Sequence, residues 1–320
     1  MDRRYAPESL GTPSREKTGY FIRSSDGDLW GPCVKVRDQP AIPVMSPSTI
    51  APLANIRHVV LDLDGTLYNG SEVFPETVPF LALLRTLGIG YTFLTNNASK
   101  SRCDYVAHLG QLGIPCEEAQ IETSGHATQR YLHEHGFSGK PLFFLGSPNL
   151  VTEFAKAGFL ATDGGETSPE PAAVVVAVDP TLTYEKLCRA AWWITQGKPF
   201  IATNPDRFTP TNRRIVLPGC AATCAYLEVA TGRAPDIVLG KPHPSMLTPI
   251  LEQHRLEPSQ VAMVGDRLYT DIALAHRTGA LGVLVLTGEA TAADAEKAPE
   301  PPDLILPDLG ELGRQLAATR

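Results

Sequence analysis

Val59-Val60-Leu61-Asp62-Leu63-Asp64-Gly65-Thr66-Leu67-Tyr68 runs from unbroken apolar residues into two carboxylates two positions apart, with a glycine directly after. The branched side chains of Val59 to Leu63 predict a short strand buried on both faces. In open α/β sheets ligands gather outside the carboxyl ends of strands. Alternate residues of an extended segment point the same way, so Asp62 and Asp64 are expected to face one site. Two desolvated like charges are costly at close range unless a cation or a shared proton compensates them. An ordinary Asp-Gly turn would also account for this decapeptide taken alone.

Working outward, Glu76 to Leu87 has helical spacing, with Pro75 at its start and Gly88 as a stop. A second buried strand, Tyr91 to Leu94, ends in Thr95-Asn96-Asn97-Ala98-Ser99. Strand, helix, strand is a βαβ unit with a parallel sheet, which sets Thr95 and Asn96 beside Asp62. Ser99 to Leu112 and Ser124 to His135 read as further helices. From residue 138 a second α/β series is expected, with strands at Pro141 to Leu145, Ala173 to Val178 and Phe200 to Thr203. Helices Leu150 to Ala157, Tyr184 to Gln196 and Pro218 to Gly232 belong to it, and Asp163 to Pro171 reads as a surface loop. The first series is expected to resume at Ile237-Val238-Leu239-Gly240-Lys241-Pro242. After a helix Met246 to His254, the strand Val261 to Val264 ends in Gly265-Asp266-Arg267-Leu268-Tyr269-Thr270-Asp271. A helix runs on through Thr278, then strands Leu281 to Leu286 and Leu304 to Leu306, and a closing helix from Leu309.

The composition bounds the function. At 320 residues the chain suits two lobes and a tail better than one core. A net charge of -7 argues against a nucleic-acid binder driven by phosphate neutralisation. No apolar stretch approaches the roughly 20 residues that span a bilayer, and no apolar segment follows Met1-Asp2-Arg3-Arg4 to make a secretory signal. Six scattered cysteines without a CxxC pair suit a reduced cytoplasmic protein. Cys220 and Cys224 read as small core residues, and His133 and His135 as a solvated face. Trp192 and Trp193 read as core packing or a subunit contact. Residues 1–55, rich in proline and without a sustained period, predict a loosely structured extension. Met45 is a candidate start of the native product.

Four strand ends thus contribute Asp62 and Asp64, Thr95 and Asn96, Lys241, and Asp266 with Asp271. Few carboxylates with oxygen donors suit Mg²⁺. One lysine, a threonine hydroxyl and turn amides suit a phosphate. With DxDGT, TNN, GKP and GDRxxTD in this order, the chain resembles the haloacid dehalogenase (HAD) superfamily of aspartyl-phosphate phosphatases. Thr183-Tyr184-Glu185-Lys186-Leu187, Ile201 to Asp206 and Pro218-Gly219-Cys220 narrow the likeness to subfamily IIA. That is the NagD-like branch of p-nitrophenylphosphatases and phosphoglycolate phosphatases.

The resemblance implies a Rossmann-like α/β core at 56–137 and 235–320, with an inserted α/β cap of the C2 type at 138–234. It implies a phosphoric monoester hydrolase acting on a small phosphorylated metabolite, with neither nucleic acid nor membrane as partner; a homodimer is left open. Asp62 would be the nucleophile and Asp64 the general acid and base. Thr95, Asn96 and Asn97 would hold phosphoryl oxygens and Lys241 would neutralise charge. Asp62, Asp64, Asp266 and Asp271 would form the Mg²⁺ site, Asp64 through its main-chain carbonyl. Asp271 would act through water or by orienting Lys241, and a helix-start carboxylate is its plain alternative. Asp179, Asn204 and Asp206 are the cap-side specificity candidates, although Asn204 and Asp206 also suit a turn cap. A phosphomutase or transferase using the same covalent chemistry, or a silent binding module, are the rival functions. The chain departs from the branch at Ala177-Val178-Asp179, at Tyr269 and at Ala221-Ala222, and because of the first and last of these no relative's substrate carries over directly.

Overall fold

The computed structural model describes residues 51–209 and 214–320. The expected extension therefore lies outside the described residues except for the 3-10 turn Ala51–Asn55, and so does the candidate start at Met45.

Strand β1 covers His58–Leu61, two residues short of the expected end, although the Asp62 amide still donates to the Val264 carbonyl at 2.9 Å. A small hairpin, β2 (Tyr68–Asn69) and β3 (Glu72–Val73), precedes helix α1 (Thr77–Thr86). Strand β4 (Gly90–Thr95), helix α2 (Arg102–Gln111), strand β5 (Ile121–Thr123) and helix α3 (Ser124–Glu134) follow. The expected helix from Ser99 starts later because Ser101 caps it, its hydroxyl accepting from the Asp104 amide while Asp104 accepts from the Ser101 amide.

The second series contains β6 (Pro141–Leu145), α4 (Pro148–Lys156), β7 (Leu160–Thr162), β8 (Ala173–Val176), α5 (Tyr184–Thr195) and β9 (Phe200–Ala202). A hairpin of β10 (Phe208–Thr209) and β11 (Leu217–Pro218), helix α6 (Cys220–Thr231) and strand β12 (Ile237–Val238) complete it. After α7 (Thr248–His254) come β13 (Val261–Gly265), a π-helical turn at Leu268–Ile272, and α8 (Ala273–Thr278). The chain ends with β14 (Leu281–Val285), α9 (Ala292–Glu296), β15 (Leu304–Leu306) and α10 (Leu309–Ala318).

Two parallel sheets result. The first has the order β15-β14-β13-β1-β4-β5 and the second β12-β9-β8-β6-β7. One expectation is corrected here: Ile237–Val238 does not resume the first sheet but pairs in parallel with β9 in the second. Its backbone continues that ladder, the Leu239 amide donating to the Ala202 carbonyl at 2.9 Å. The first sheet reverses its order at β1, whose neighbours are β4 on one side and β13 on the other. Such a reversal leaves a crevice outside the carboxyl ends of the central strands. The apolar runs behave as their composition dictates: β1, β8, β9 and β13 are buried along their whole length.

Two adjacent tryptophans part company. Trp193 packs in the second sheet's core and donates to the Gly164 carbonyl at 3.1 Å, whereas Trp192 is 57% exposed. Cys220 and Cys224 are buried with sulfurs 3.9 Å apart, and His133 and His135 are exposed.

His58 opens β1 at 3% exposure, its Nε2 2.8 Å from the Thr92 hydroxyl and its ring 4.5 Å from that of His254. Burial, and then His254, lower its pKa to about 4. A histidine depressed when folded takes up its proton more readily when unfolded, so its contribution is present above the ordinary value near 6.5 and is lost as pH falls toward 4. The loss amounts to about 3 kcal/mol at most. The pH dependence of the unfolding midpoint between those limits is expected to flatten in His58→Gln; an unchanged slope would refute this.

Candidate active site

The carboxyl ends of β1, β4 and β13 meet the loop after β12 around a polar cavity of about 240 Å³. Asp62, Asp64, Thr95, Asn96, Asn97, Asn204, Asp206 and Lys241 line it. Lys241 is 2% exposed and reaches Asp62 on one side and Asp271, at 2.7 Å, on the other. Burial works against its ammonium, and the flanking Asp271 and Asp62 outweigh that, holding its pKa above the usual lysine value. Asp64, partly buried, has its carboxyl pushed up to about 6 by burial and then by Asp62.

Asp62, Asp266 and Asp271 each offer an oxygen within 4.8 Å of the others, and all three are buried. Asp266 Oδ2 accepts from the Glu289 amide at 2.7 Å, while its buried Oδ1 has no hydrogen-bond partner. Burial, then Asp62 and Asp271, raise the Asp266 carboxyl to about 8. Crowded oxygens, one of them orphaned, fit a hard divalent cation. Asp271 is engaged on both oxygens: Oδ1 meets Lys241, and Oδ2 accepts from the Arg267 amide at 3.1 Å. Its carboxylate is thus both a helix-start cap and a brace for the lysine.

Backbone room shapes this corner. Gly65 has φ +88°, and a Cβ there would lie 2.3 Å from Asp266 Oδ2; at Gly288 the clash would be 1.9 Å. The loop after β14 closes over Asp266, with the Thr287 hydroxyl donating to the Gly65 carbonyl at 2.6 Å. Thr287-Gly288-Glu289 carries no motif, and a glycine three residues past the end of β14 is its one signal in the sequence.

The phosphate candidates divide. Thr95 Oγ1 accepts from the Asn97 amide at 3.1 Å and faces the cavity. Asn97 Oδ1 is held by Ser99, leaving its Nδ2 without a protein partner among the described residues. Asn96 lies on the cavity wall, but its side-chain amide is taken up within the protein. Oδ1 accepts from the Lys241 amide at 2.6 Å, and Nδ2 donates to the Lys241 carbonyl at 3.1 Å and to Asp206 Oδ1 at 2.9 Å.

Of the second-sheet candidates, Asn204 and Asp206 reach the cavity and Asp179 does not. Asp179 accepts from Thr181 and Lys186, and Val178 beside it lines the wall instead. Asn204 Nδ2 donates to the Asn96 carbonyl at 2.9 Å. Wall residues without an assigned role include Lys100, Tyr105, His108 and Arg267. Lys100 and Arg267 adjoin or lie inside the quoted motifs, and Tyr105 and His108 sit three apart on α2, so position along a helix face was the only clue.

Residues 59–160 match the family of haloacid dehalogenase-like hydrolases, and residues 238–312 match a HAD-hydrolase-like family. The chain belongs to the haloacid dehalogenase-like hydrolases, in their NagD-like branch. It is 33% identical over 252 residues to an acid sugar phosphatase of Staphylococcus aureus, covering 79% of this chain and 95% of that protein. The solved 4-nitrophenylphosphatase of Thermotoga maritima superposes with a TM-score of 0.77 at 36% identity, over 82% of this chain and 98% of that one. A glycerol phosphate phosphatase of Mycobacterium tuberculosis, solved with magnesium, gives a TM-score of 0.74 at 32% identity, over 82% of this chain and 77% of that one. The protein is a phosphoric monoester hydrolase. No helix among the described residues is long and apolar enough to cross a membrane.

Proposed function

We propose that the protein is a Mg²⁺-dependent phosphatase that hydrolyses small phosphate monoesters through an aspartyl-phosphate on Asp62. The observation that carries this reading is Asp62 held against a buried lysine, beside Asp266 with its orphaned oxygen, at the point where the sheet reverses. Asp62 attacks phosphorus and the bond to the leaving oxygen breaks as Asp64 gives that oxygen its proton. Water then attacks the aspartyl-phosphate, Asp64 takes the water's proton, and inorganic phosphate leaves with Asp62 regenerated. Thr95 and Asn97 hold phosphoryl oxygens, and Lys241 offsets the charge on the nucleophile and phosphoryl group. Asp62, Asp266 and the Asp64 main-chain carbonyl would hold Mg²⁺, with Asp271 orienting Lys241. The ion would supply charge neutralisation at the transferring phosphoryl group.

Residues 138–234, with β12 added to their sheet, act as the cap, excluding water and choosing the leaving group. A cavity of about 240 Å³ suits a phosphate with a small polar leaving group, in keeping with the acid sugar and glycerol phosphate phosphatases among the relatives. Phosphate release measured across phosphorylated metabolites, with Asp62→Asn as the blank, tests the reading; transfer to an acceptor without phosphate release would identify a mutase or transferase instead.

Removal of divalent cations by a chelator is expected to reduce turnover to background, and Mg²⁺ to restore it. Asp266→Asn is expected to raise the Mg²⁺ concentration for half-maximal activity by roughly 10- to 100-fold or more. Chelator-resistant turnover would overturn the metal assignment.

A further inference from the structure

We infer that Asn96 is a positioning residue that ties the seating of the cap loop Asn204–Asp206 to the placement of Lys241. The inference rests on the catalytic reading of Lys241 given above and replaces the sequence expectation that Asn96 holds a phosphoryl oxygen. Asn96 is 5% exposed, and each polar atom of its side chain has a partner. Its amide clasps Lys241 at both main-chain groups, 2.6 Å at the amide and 3.1 Å at the carbonyl, in the manner of a paired backbone strand. The same Nδ2 reaches across to Asp206 Oδ1 at 2.9 Å, and the Asn96 carbonyl receives Asn204 Nδ2 at 2.9 Å. The cap loop is itself stiffened, with the Asp206 amide donating to Asn204 Oδ1 at 3.1 Å.

The space for this arrangement is made by Gly240, whose φ is +74° and where a Cβ would lie 2.9 Å from Asn96 Oδ1 and 2.9 Å from Asn204 Cβ. Asn96, Asn204 and the residue before Lys241 therefore pack around one point. A cap loop that lifts away takes an acceptor from Asn96 Nδ2, and the clasp on the Lys241 backbone loosens with it. Because Lys241 Nζ bridges Asp62 and Asp271, a small rotation of its main chain is felt at the nucleophile.

The test is a charge swap. Asn96→Asp keeps an oxygen for the Lys241 amide but sets a carboxylate against Asp206. Asp206→Asn alone keeps an acceptor for Asn96. Asn96→Asp is expected to lower kcat on p-nitrophenyl phosphate by about 100-fold, and Asp206→Asn by less than that, its own loss on the cavity wall serving as the reference for the cycle. The double variant places an amide donor opposite the new carboxylate and is expected to recover about tenfold in kcat relative to Asn96→Asp, a coupling of about 1.4 kcal/mol.

An Asn96→Asp enzyme that unfolds at the parent temperature and gains nothing from Asp206→Asn overturns the inference, as does recovery confined to KM. Should Asn96→Asp not fold, Asn96→Ser with Asp206→Ala carries the same test: the double is expected to lose no more than Asn96→Ser alone, and multiplicative losses overturn it. Lys241→Met, assayed alongside, separates the two readings, since undiminished turnover in that variant removes the role of the lysine whatever the cycle gives.

Discussion

Asp62→Asn is expected to abolish hydrolysis of p-nitrophenyl phosphate, with a loss of at least about 10⁴-fold, while leaving the protein folded. Asparagine has the shape of aspartate and keeps an oxygen toward Lys241, and the Asp62 amide still extends the β1 ladder to Val264. What it lacks is the anionic oxygen that, in the proposed mechanism, would bond to phosphorus. The substitution also removes one of three crowded carboxylates, so the unfolding midpoint in chelator is expected to hold or rise. Turnover near the parent level would remove Asp62 from the nucleophile's role, and a collapse of the fold would show that the carboxylate has a structural duty the contacts do not reveal.

Lys241→Met is expected to fail differently. Methionine fills much of the same volume but leaves Asp62 and Asp271 buried without their shared cation. Breaking a buried pair by removing one partner typically costs about 3–5 kcal/mol, so the variant is expected to unfold at markedly lower denaturant when free of divalent ions. Added Mg²⁺ is expected to restore part of that stability, because it supplies positive charge to the same carboxylates. Turnover is expected to fall by about 10²- to 10³-fold even with the ion present, the usual scale for losing one preorganised charge-stabilising group. Equilibrium unfolding with and without Mg²⁺, beside kcat, checks both halves, and a variant of parental stability in chelator would contradict the buried bridge.

The two predictions draw on features that differed in how readily they could be read. Val59 to Leu61 announced a two-faced buried strand because burial on both sides leaves no room for a polar alternate, and the polar residues after it stood out for the same reason. Strand β5 gave no such sign: Ile121-Glu122-Thr123 buries two polar residues, which Arg130 and His126 satisfy on Glu122 and the His126 amide on Thr123. Ile237–Val238 was recognisable as a strand, but which sheet it joins is fixed by pairing with β9, and nothing in those two residues encodes that partner. The part played by Asn96 was hidden for a similar reason. Its amide partners lie 110 and 145 residues along the chain, and a motif that places it beside Thr95 cannot say where its side chain turns.

Asp266 lies between two glycines that leave no space for a methyl group at either position. A side chain confined in this way gives up little rotational freedom when a cation arrives, which favours tight capture. The same packing holds the buried Asp266 beside Asp62 and Asp271, and burial and then their charges raise its carboxyl. On the proposed reading the ion would be a constituent of the folded body as much as a reagent.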